Sequence, residues 1–269
     1  MRLIGINYCS FYGLSPDEFA RNIKAVGFGA TFTEAHDLTD AEAYAKAFYE
    51  NGIAWETVHA PFDGINNIWR ESDDGDVILA KMKRTVDICA DFSIPTAVIH
   101  LSSGEKAPSI SDIGKRRFSS LVEYSAKRNV NLAFENQRKL ANIAWVFEEF
   151  SDVPTVGFCW DVGHEGCFTP GREYMPLFGN KLVCMHIHDN DGRYNHDLHQ
   201  IPFDGSLDFY RVARHIGKYG FAGTLMLEIF PQISGIYNSL KPFEILSRAA
   251  VAASRLCDMV DKKADGSLI

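Results

Sequence analysis

No window of the chain approaches the roughly eighteen unbroken apolar residues of a membrane-spanning helix. Nor does a basic stretch followed by an apolar one open it. Leu3-Ile4-Gly5-Ile6 is a strand-like start, so no secretory leader is expected. Cysteine pairs are missing too. Cys9, Cys89, Cys159, Cys167, Cys184 and Cys257 are scattered with no C-x-x-C spacing. Four of the six sit in apolar or helical runs, where a thiol acts as a small hydrophobe. This argues against a disulfide framework, fits a reducing compartment and makes a cytoplasmic protein the expectation. Positive charge is short: 27 Lys and Arg stand against 35 Asp and Glu, a net of −8. Such a balance disfavours a protein that grips nucleic-acid phosphates or an anionic membrane. There is no Gly-rich phosphate loop, no low-complexity stretch and no composition shift to mark a domain boundary.

What the chain does have is apolar content, 46% over 269 residues, ample for a large core. Short apolar runs alternate with longer amphipathic ones. Leu3–Tyr8 reads as strand one. Ser15-Pro16-Asp17-Glu18 then opens a helix with a serine cap, a proline in the first turn and acid behind it, and Gly27 stops it. Ala30–Glu34 is strand two, followed by the helix Ala41–Glu50. Ile53–His59 is strand three, and the long segment Ala60–Asp76 leads to the helix Val77–Phe92. Thr96–His100 is strand four with the helix Asp112–Arg128. Asn131–Glu135 is strand five with a helix around Leu140–Phe150. Thr155–Trp160 is strand six, whose helix is placed at Gly171–Phe178. Lys181–His188 is strand seven with the helix Ser206–Tyr219. Gly223–Phe230 is strand eight, and Pro242–Val260 is the final helix. Continuous apolar strands suit a parallel sheet covered on both faces. Eight strand–helix units in one chain predict an α/β fold, a single (β/α)8 TIM barrel over residues 1–269, with 261–269 as a frayed tail. A doubly wound open sheet is the alternative, but it gathers its ligand at one switch point, whereas the reactive residues here are spread over most strands.

Those residues stand at the C-terminal ends of the strands. Glu34, His59, His100, Glu135, Asp161, His186, His188 and Glu228 follow strands two to eight, with His164 just beyond Asp161 and Asp197 and His199 in the loop after strand seven. In a barrel these positions converge on one mouth. The stretch 159–199 alone holds five of the nine histidines. Imidazole and carboxylate at that density suit a divalent metal such as Zn²⁺ or Mn²⁺. A His-rich solvated loop would look similar in composition, but these groups close apolar runs. Glu135 in LAFEN and Glu228 in LMLEIF lie inside such runs, where a carboxylate must be paired or metal-bound. No basic residue stands at a matching strand end. His164 reads equally as ligand or substrate contact, and His188 as a residue behind the ligand His186. His36, His196 and His215 read as surface residues.

Val58-His59-Ala60-Pro61, Ala133-Phe134-Glu135-Asn136, Trp160-Asp161-Val162-Gly163-His164, His186-Ile187-His188-Asp189-Asn190 and Leu227-Glu228, in this order, resemble the xylose-isomerase-like barrel superfamily. That group includes sugar and sugar-phosphate isomerases and epimerases and endonuclease IV. The resemblance covers nearly the whole chain. It implies a metal held by Glu135, Asp161, His186 and Glu228, with His164 touching a substrate oxygen. It also implies a second possibility. The endonuclease branch uses a larger ligand set around three zinc ions, and His59, His100, His164, Asp197 and His199 stand where its extra ligands would be. One divalent ion is expected, with up to three allowed by the ligand set.

For an isomerase or epimerase, Glu135 and Glu228 would flank the metal and move the proton next to the carbonyl of an open-chain sugar through an enediolate. A dehydratase acting on a keto-polyol would start from the same enediolate. A non-catalytic barrel would need degraded ligands, and these are intact. Phe11, Tyr12, Phe62, Trp69, Phe203 and Phe230 are candidate flat walls for a sugar, each also explicable as loop packing. Arg193 is the candidate cation for a substrate hydroxyl or phosphate, or simply an exposed loop arginine. Around the predicted mouth Asp63, Glu71, Asp73, Asp74, Asp76, Glu105, Asp189, Asp191 and Asp204 outnumber Arg70, Lys106, Arg138, Arg172 and Arg193. That acidity favours a small carbohydrate over a nucleic-acid polyanion. The expected partner is therefore a small-molecule carbohydrate, with no membrane and with homo-oligomerisation left open.

Overall fold

The computed structural model of the protein describes residues 2–9, 12–34 and 38–264. Phe11, His36 and the tail beyond Ala264 lie outside the described residues. The strands are β1 (Ile4–Asn7), β2 (Ala30–Glu34), β3 (Ala54–His59), β4 (Thr96–His100), β5 (Asn131–Glu135), β6 (Val156–Asp161), β7 (Leu182–His186) and β8 (Leu225–Leu227). They form one eight-stranded sheet in the order β7-β6-β5-β4-β3-β2-β1-β8, with parallel ladders and helices between the strands. A parallel bridge between Ile187 and Leu227 joins the two ends. The Ile187 N–H donates to Met226 O at 2.9 Å, and the Glu228 N–H donates to Ile187 O at 3.0 Å. The fold is a (β/α)8 barrel, as the alternation of elements predicts.

The helices are α1 (Pro16–Val26), α2 (Leu38–Asn51), α3 (Asp73–Asp91), α4 (Asp112–Lys127), α5 (Leu140–Glu149), α6 (Val162–Phe168), α7 (Met175–Phe178), α8 (Phe209–Lys218), α9 (Pro231–Ser234) and α10 (Pro242–Ala264). The predicted cap of α1 is present. The Ser15 hydroxyl oxygen accepts the Glu18 N–H at 3.3 Å, and the Glu18 carboxylate accepts the Ser15 N–H at 2.9 Å.

The elements group into two compact units. The first comprises Met1–Phe32, Ala43–Trp55 and Trp160–Ile269, and the second Thr33–Glu42 and Glu56–Cys159. In the second, Trp69 packs against Phe118 and Trp145 at ring separations of 5.0 and 5.5 Å. Its indole N–H donates to Leu101 O at 2.6 Å. This ring is core, not a wall of an open mouth. Arg117, also buried, donates to the carbonyls of Ile68 (3.1 Å), Arg70 (2.7 Å) and Ser72 (2.9 Å) and to Asp76 (2.9 Å). It thereby ties the 3₁₀ turn Ile65–Trp69 to the start of α3. In the first unit Tyr12 is also core, 2% exposed, with its hydroxyl donating to Ile229 O at 3.3 Å.

Four boundaries differ from expectation for identifiable reasons. Strand eight is Leu225–Leu227 instead of Gly223–Phe230, because the Asn7 side chain takes over the ladder's bonds beyond it. Asn7 donates to Ile229 O at 3.1 Å and accepts the Ile229 N–H at 2.8 Å. Strand seven stops at His186, since Ile187 and Asp189 make only isolated bridges. The first helix after strand six is α6, which begins directly after Asp161, whose carboxylate caps it by accepting the His164 N–H at 2.6 Å. Helix α3 starts at Asp73, where Asp73, Asp74 and Asp76 complement the positive end of the helix.

Candidate metal centre

In the first unit, β6, β7 and the segment after β8 deliver Asp161, His186 and Glu228, all buried at strand ends. His186 Nδ1 lies 3.7 Å from Glu228 Oε1, and the His186 ring is stacked on Phe32 with centroids 4.5 Å apart. The loop after β7 brings in the rest. His164 Nε2 lies 3.2 Å, and His199 Nε2 3.4 Å, from the same oxygen of Asp197, Oδ2. His188 Nε2 lies 3.1 Å from Asp161 Oδ1 and 3.7 Å from Asp197 Oδ1. His188 is therefore not set back behind His186. Its ring stacks on His199 at 4.0 Å. Gly163 makes room for it, since a Cβ there would collide with the His188 ring. Donor atoms of His164, His188, Asp197 and His199 lie within 4.8 Å of one another, as do those of Asp161, His188 and Glu228.

The second unit holds its own cluster. His59 and His100 present Nε2 to Glu135 Oε2 at 3.2 and 3.3 Å, and these two nitrogens are 3.1 Å apart. The Gln137 amide donates to Glu135 Oε1 at 3.3 Å and lies 3.1 Å from His100 Nε2. Phe62, half-exposed, stacks on His100 at 4.5 Å and meets His59 edge-on at 5.6 Å, where it covers one side of the cluster.

The tautomers test whether a cation fits. His59 Nδ1 is 2.8 Å from Ala60 O, and a carbonyl only accepts, so Nδ1 carries the proton. In the neutral ring Nε2 then aims a lone pair at the Glu135 carboxylate. His199 repeats the pattern. Its Nδ1 is 3.2 Å from the Glu228 backbone oxygen, leaving Nε2 to face Asp197. A lone pair opposite a carboxylate is repulsive until a proton or a metal ion comes between them. The donor set is the imidazole and carboxylate mixture that zinc and manganese accept. The residues fit a divalent ion.

Protonation follows the same charges. Burial lowers the His59 pKa, but hydrogen bonding to Glu135 and its charge outweigh that, and the net shift is upward. His188 is likewise raised, with burial overcome by the Asp161 charge. His199 is lowered, by burial and then by its stacked neighbour His188. Burial alone would raise Asp197, yet the His199 and His164 charges beside it hold it far below the carboxylate range.

Other predicted residues lie elsewhere. Arg193 is exposed and held by Asp191, with Nε donating to Oδ2 at 2.7 Å. His196 is half-buried, with Nδ1 3.4 Å from Asp191 Oδ2. His215, expected on the surface, is buried on α8 beside Trp160, with Nε2 3.2 Å from Glu173. It shares the core stripe with Val212, one turn before it, which the sequence periodicity could have shown. Phe230 meets His199 edge-on at 4.7 Å, as a wall residue would, whereas Phe203 lies under the Arg255 guanidinium at 3.9 Å. Phe168, not anticipated, stacks on His164 at 4.7 Å. Its place on α6 one turn after His164 is the signal that marks it.

The protein is a parallel barrel with histidine and carboxylate clusters at its strand ends that could hold a metal ion. The chain belongs to the family described as xylose isomerase-like TIM barrel, which it matches over residues 18–246. An uncharacterized protein of Sinorhizobium fredii is 26% identical over 264 residues, covering 85% of this chain and 82% of that one. Among solved structures, a xylose isomerase domain protein from Planctomyces limnophilus superposes with a TM-score of 0.75 at 15% identity, over 98% of this chain and 99% of the other. An L-ribulose 3-epimerase superposes with a TM-score of 0.74 at 18% identity, over 100% and 99%. Among the described residues no helix is long and apolar enough to cross a membrane.

Proposed function

We propose that the protein is a divalent-metal-dependent sugar or sugar-phosphate isomerase or epimerase. The observation that carries this reading is the burial of Asp161, His186 and Glu228 at strand ends, with Asp161 and Glu228 sharing a donor group with His188 and His186 facing Glu228. The resemblance of Ala133-Phe134-Glu135-Asn136 to the family's pattern supports Glu135 as a fourth ligand in this reading. The superposed L-ribulose 3-epimerase supports carbohydrate as the substrate class. A bound ion would supply Lewis acidity to a substrate carbonyl and its neighbouring hydroxyl. Glu135 and Glu228 form the acid–base pair, one taking the proton next to the carbonyl and the other returning it. His164, stacked on Phe168, is the candidate contact for a substrate oxygen, and Phe230 offers an apolar edge beside His199.

A second reading has its own observation. The His59–His100–Glu135 and His164–Asp197–His199 groupings go beyond what a one-metal sugar enzyme needs. They favour a multi-zinc phosphodiesterase of the endonuclease IV type. Part of the acidity counted against that reading is neutralised. Asp76 pairs with Arg117 and Asp204 with Arg248, two cations outside that count, while Asp189 is buried.

Metal analysis of the purified protein and solvent-deuterium exchange into a panel of ketoses decide between them. Deuterium at the carbon beside the carbonyl, lost in Glu228→Gln while the far-UV spectrum is retained, is the expected result. Three zinc per chain with cleavage of abasic DNA and no exchange would overturn it.

A further inference from the structure

The Asn190 side chain touches both segments that carry the donors His164, Asp197 and His199. It is fully buried in the first unit. Its amide nitrogen donates to Gly163 O at 2.9 Å. Its amide oxygen accepts the Leu198 N–H at 2.6 Å. Gly163 immediately precedes His164, and Leu198 lies between Asp197 and His199. The orientation of the amide is fixed by its partners, because a carbonyl can only accept and an N–H can only donate. The backbone of Asn190 is held as well. Its N–H donates to Asp189 Oδ1 at 2.8 Å, and its carbonyl accepts from the Ser206 N–H at 2.8 Å and the Ser206 hydroxyl at 3.1 Å. A short side chain, anchored at its root, therefore spans the start of α6 and the loop opposite it.

We propose that Asn190 is the positioning residue that sets His164 against Asp197 and His199, so that the two imidazoles converge on one carboxylate oxygen. The proposal rests on the metal-binding part of the functional reading only for the use of that geometry, not for its existence. Without the amide bridge, the 3.2 and 3.4 Å approaches of His164 and His199 to Asp197 lose a side chain that holds both backbones at fixed separation. Outer partners that orient donors change metal affinity by about 10- to 100-fold when removed.

Asn190→Asp is the informative variant. It keeps an oxygen for Leu198 but turns a second oxygen toward Gly163 O. Asn190→Ser is its companion, too short to reach either segment and free of added charge. Side-chain ¹⁵N–¹H spectra of the metal-free, full-length protein in EDTA report the imidazoles directly. Both variants should move the His164 and His199 signals and leave those of His59 and His100 in place. Titration with Co²⁺, followed by its absorption bands, should show affinity falling by 10-fold or more for one class of site. Loss of overall stability with unmoved His164 and His199 signals and unchanged Co²⁺ affinity would be a purely structural role and would overturn the proposal. If the wild-type protein takes up no Co²⁺, the metal reading of the function fails, and the metal-free spectra still decide the role of Asn190.

Discussion

Asp189→Asn is a stringent test of how the loop after β7 is held. The Asp189 carboxylate is buried and accepts four backbone N–H groups. Oδ1 takes those of Asn190 (2.8 Å) and Leu207 (3.0 Å), and Oδ2 those of Phe203 (2.9 Å) and Gly205 (3.0 Å). The amide can match only one of these pairs, because its NH₂ must face two N–H donors. Two bonds to a charged acceptor are lost, at about 1.5 kcal/mol each, or about 3 kcal/mol. Part of this returns. Burial raises the Asp189 pKa despite the four donors, so the charge itself carries a cost that the neutral amide removes. A net loss of about 2 kcal/mol follows. For a chain of this size that lowers Tm by roughly 4–8 °C. Urea unfolding with an unchanged m-value measures it, and amide exchange at Phe203, Gly205 and Leu207 localises it. A variant within about 0.5 kcal/mol of wild type, with unchanged exchange at those three amides, would refute the reasoning.

Two further outcomes are expected. Arg117→Lys keeps the charge but loses the planar fork that serves four carbonyls, that of Asn67 among them, and Asp76. It should cost about 2–3 kcal/mol in urea unfolding, and equal midpoints would show the fork to be dispensable. Ser15→Ala removes the α1 capping box at a cost of about 1 kcal/mol at neutral pH. The hydrogen bond from Ser15 lowers the Glu18 pKa, so the glutamate's share is present above the ordinary glutamate range and is lost as pH falls through the lowered value. The gap between wild type and variant, measured by urea titration at a series of pH values, should therefore narrow in acid, and a constant gap would contradict the coupling.

The order of elements was legible because parallel strands buried on both faces must be apolar, so Ala97–Ile99 or Leu132–Phe134 stands out against amphipathic helices. Acidic and histidine residues closing such runs are conspicuous for the same reason. What escaped the sequence depends on contacts between distant positions. Asn7 ends strand eight from 222 residues away, and nothing local to either residue announces it. The intrusion of His188 between Asp161 and His199 depends on the missing side chain at Gly163. Asp189, counted with the surface acids, is interior because the chain folds four N–H groups around it, and composition carries no trace of that. Gly205 belongs to the same device, since a Cβ there would strike Asn190 O.

The seam between β7 and β8 has a consequence for how the barrel holds together. It is joined through the two backbone hydrogen bonds at Ile187, and His186 and Glu228 sit on either side of it. A ligand gripped by both residues would act as a clasp on the last strand, adding to the seam the stabilisation of whatever it binds. The ring of strands and the chemistry at its mouth would then open and close as one equilibrium, with occupancy of the site setting how often the barrel comes undone at this edge.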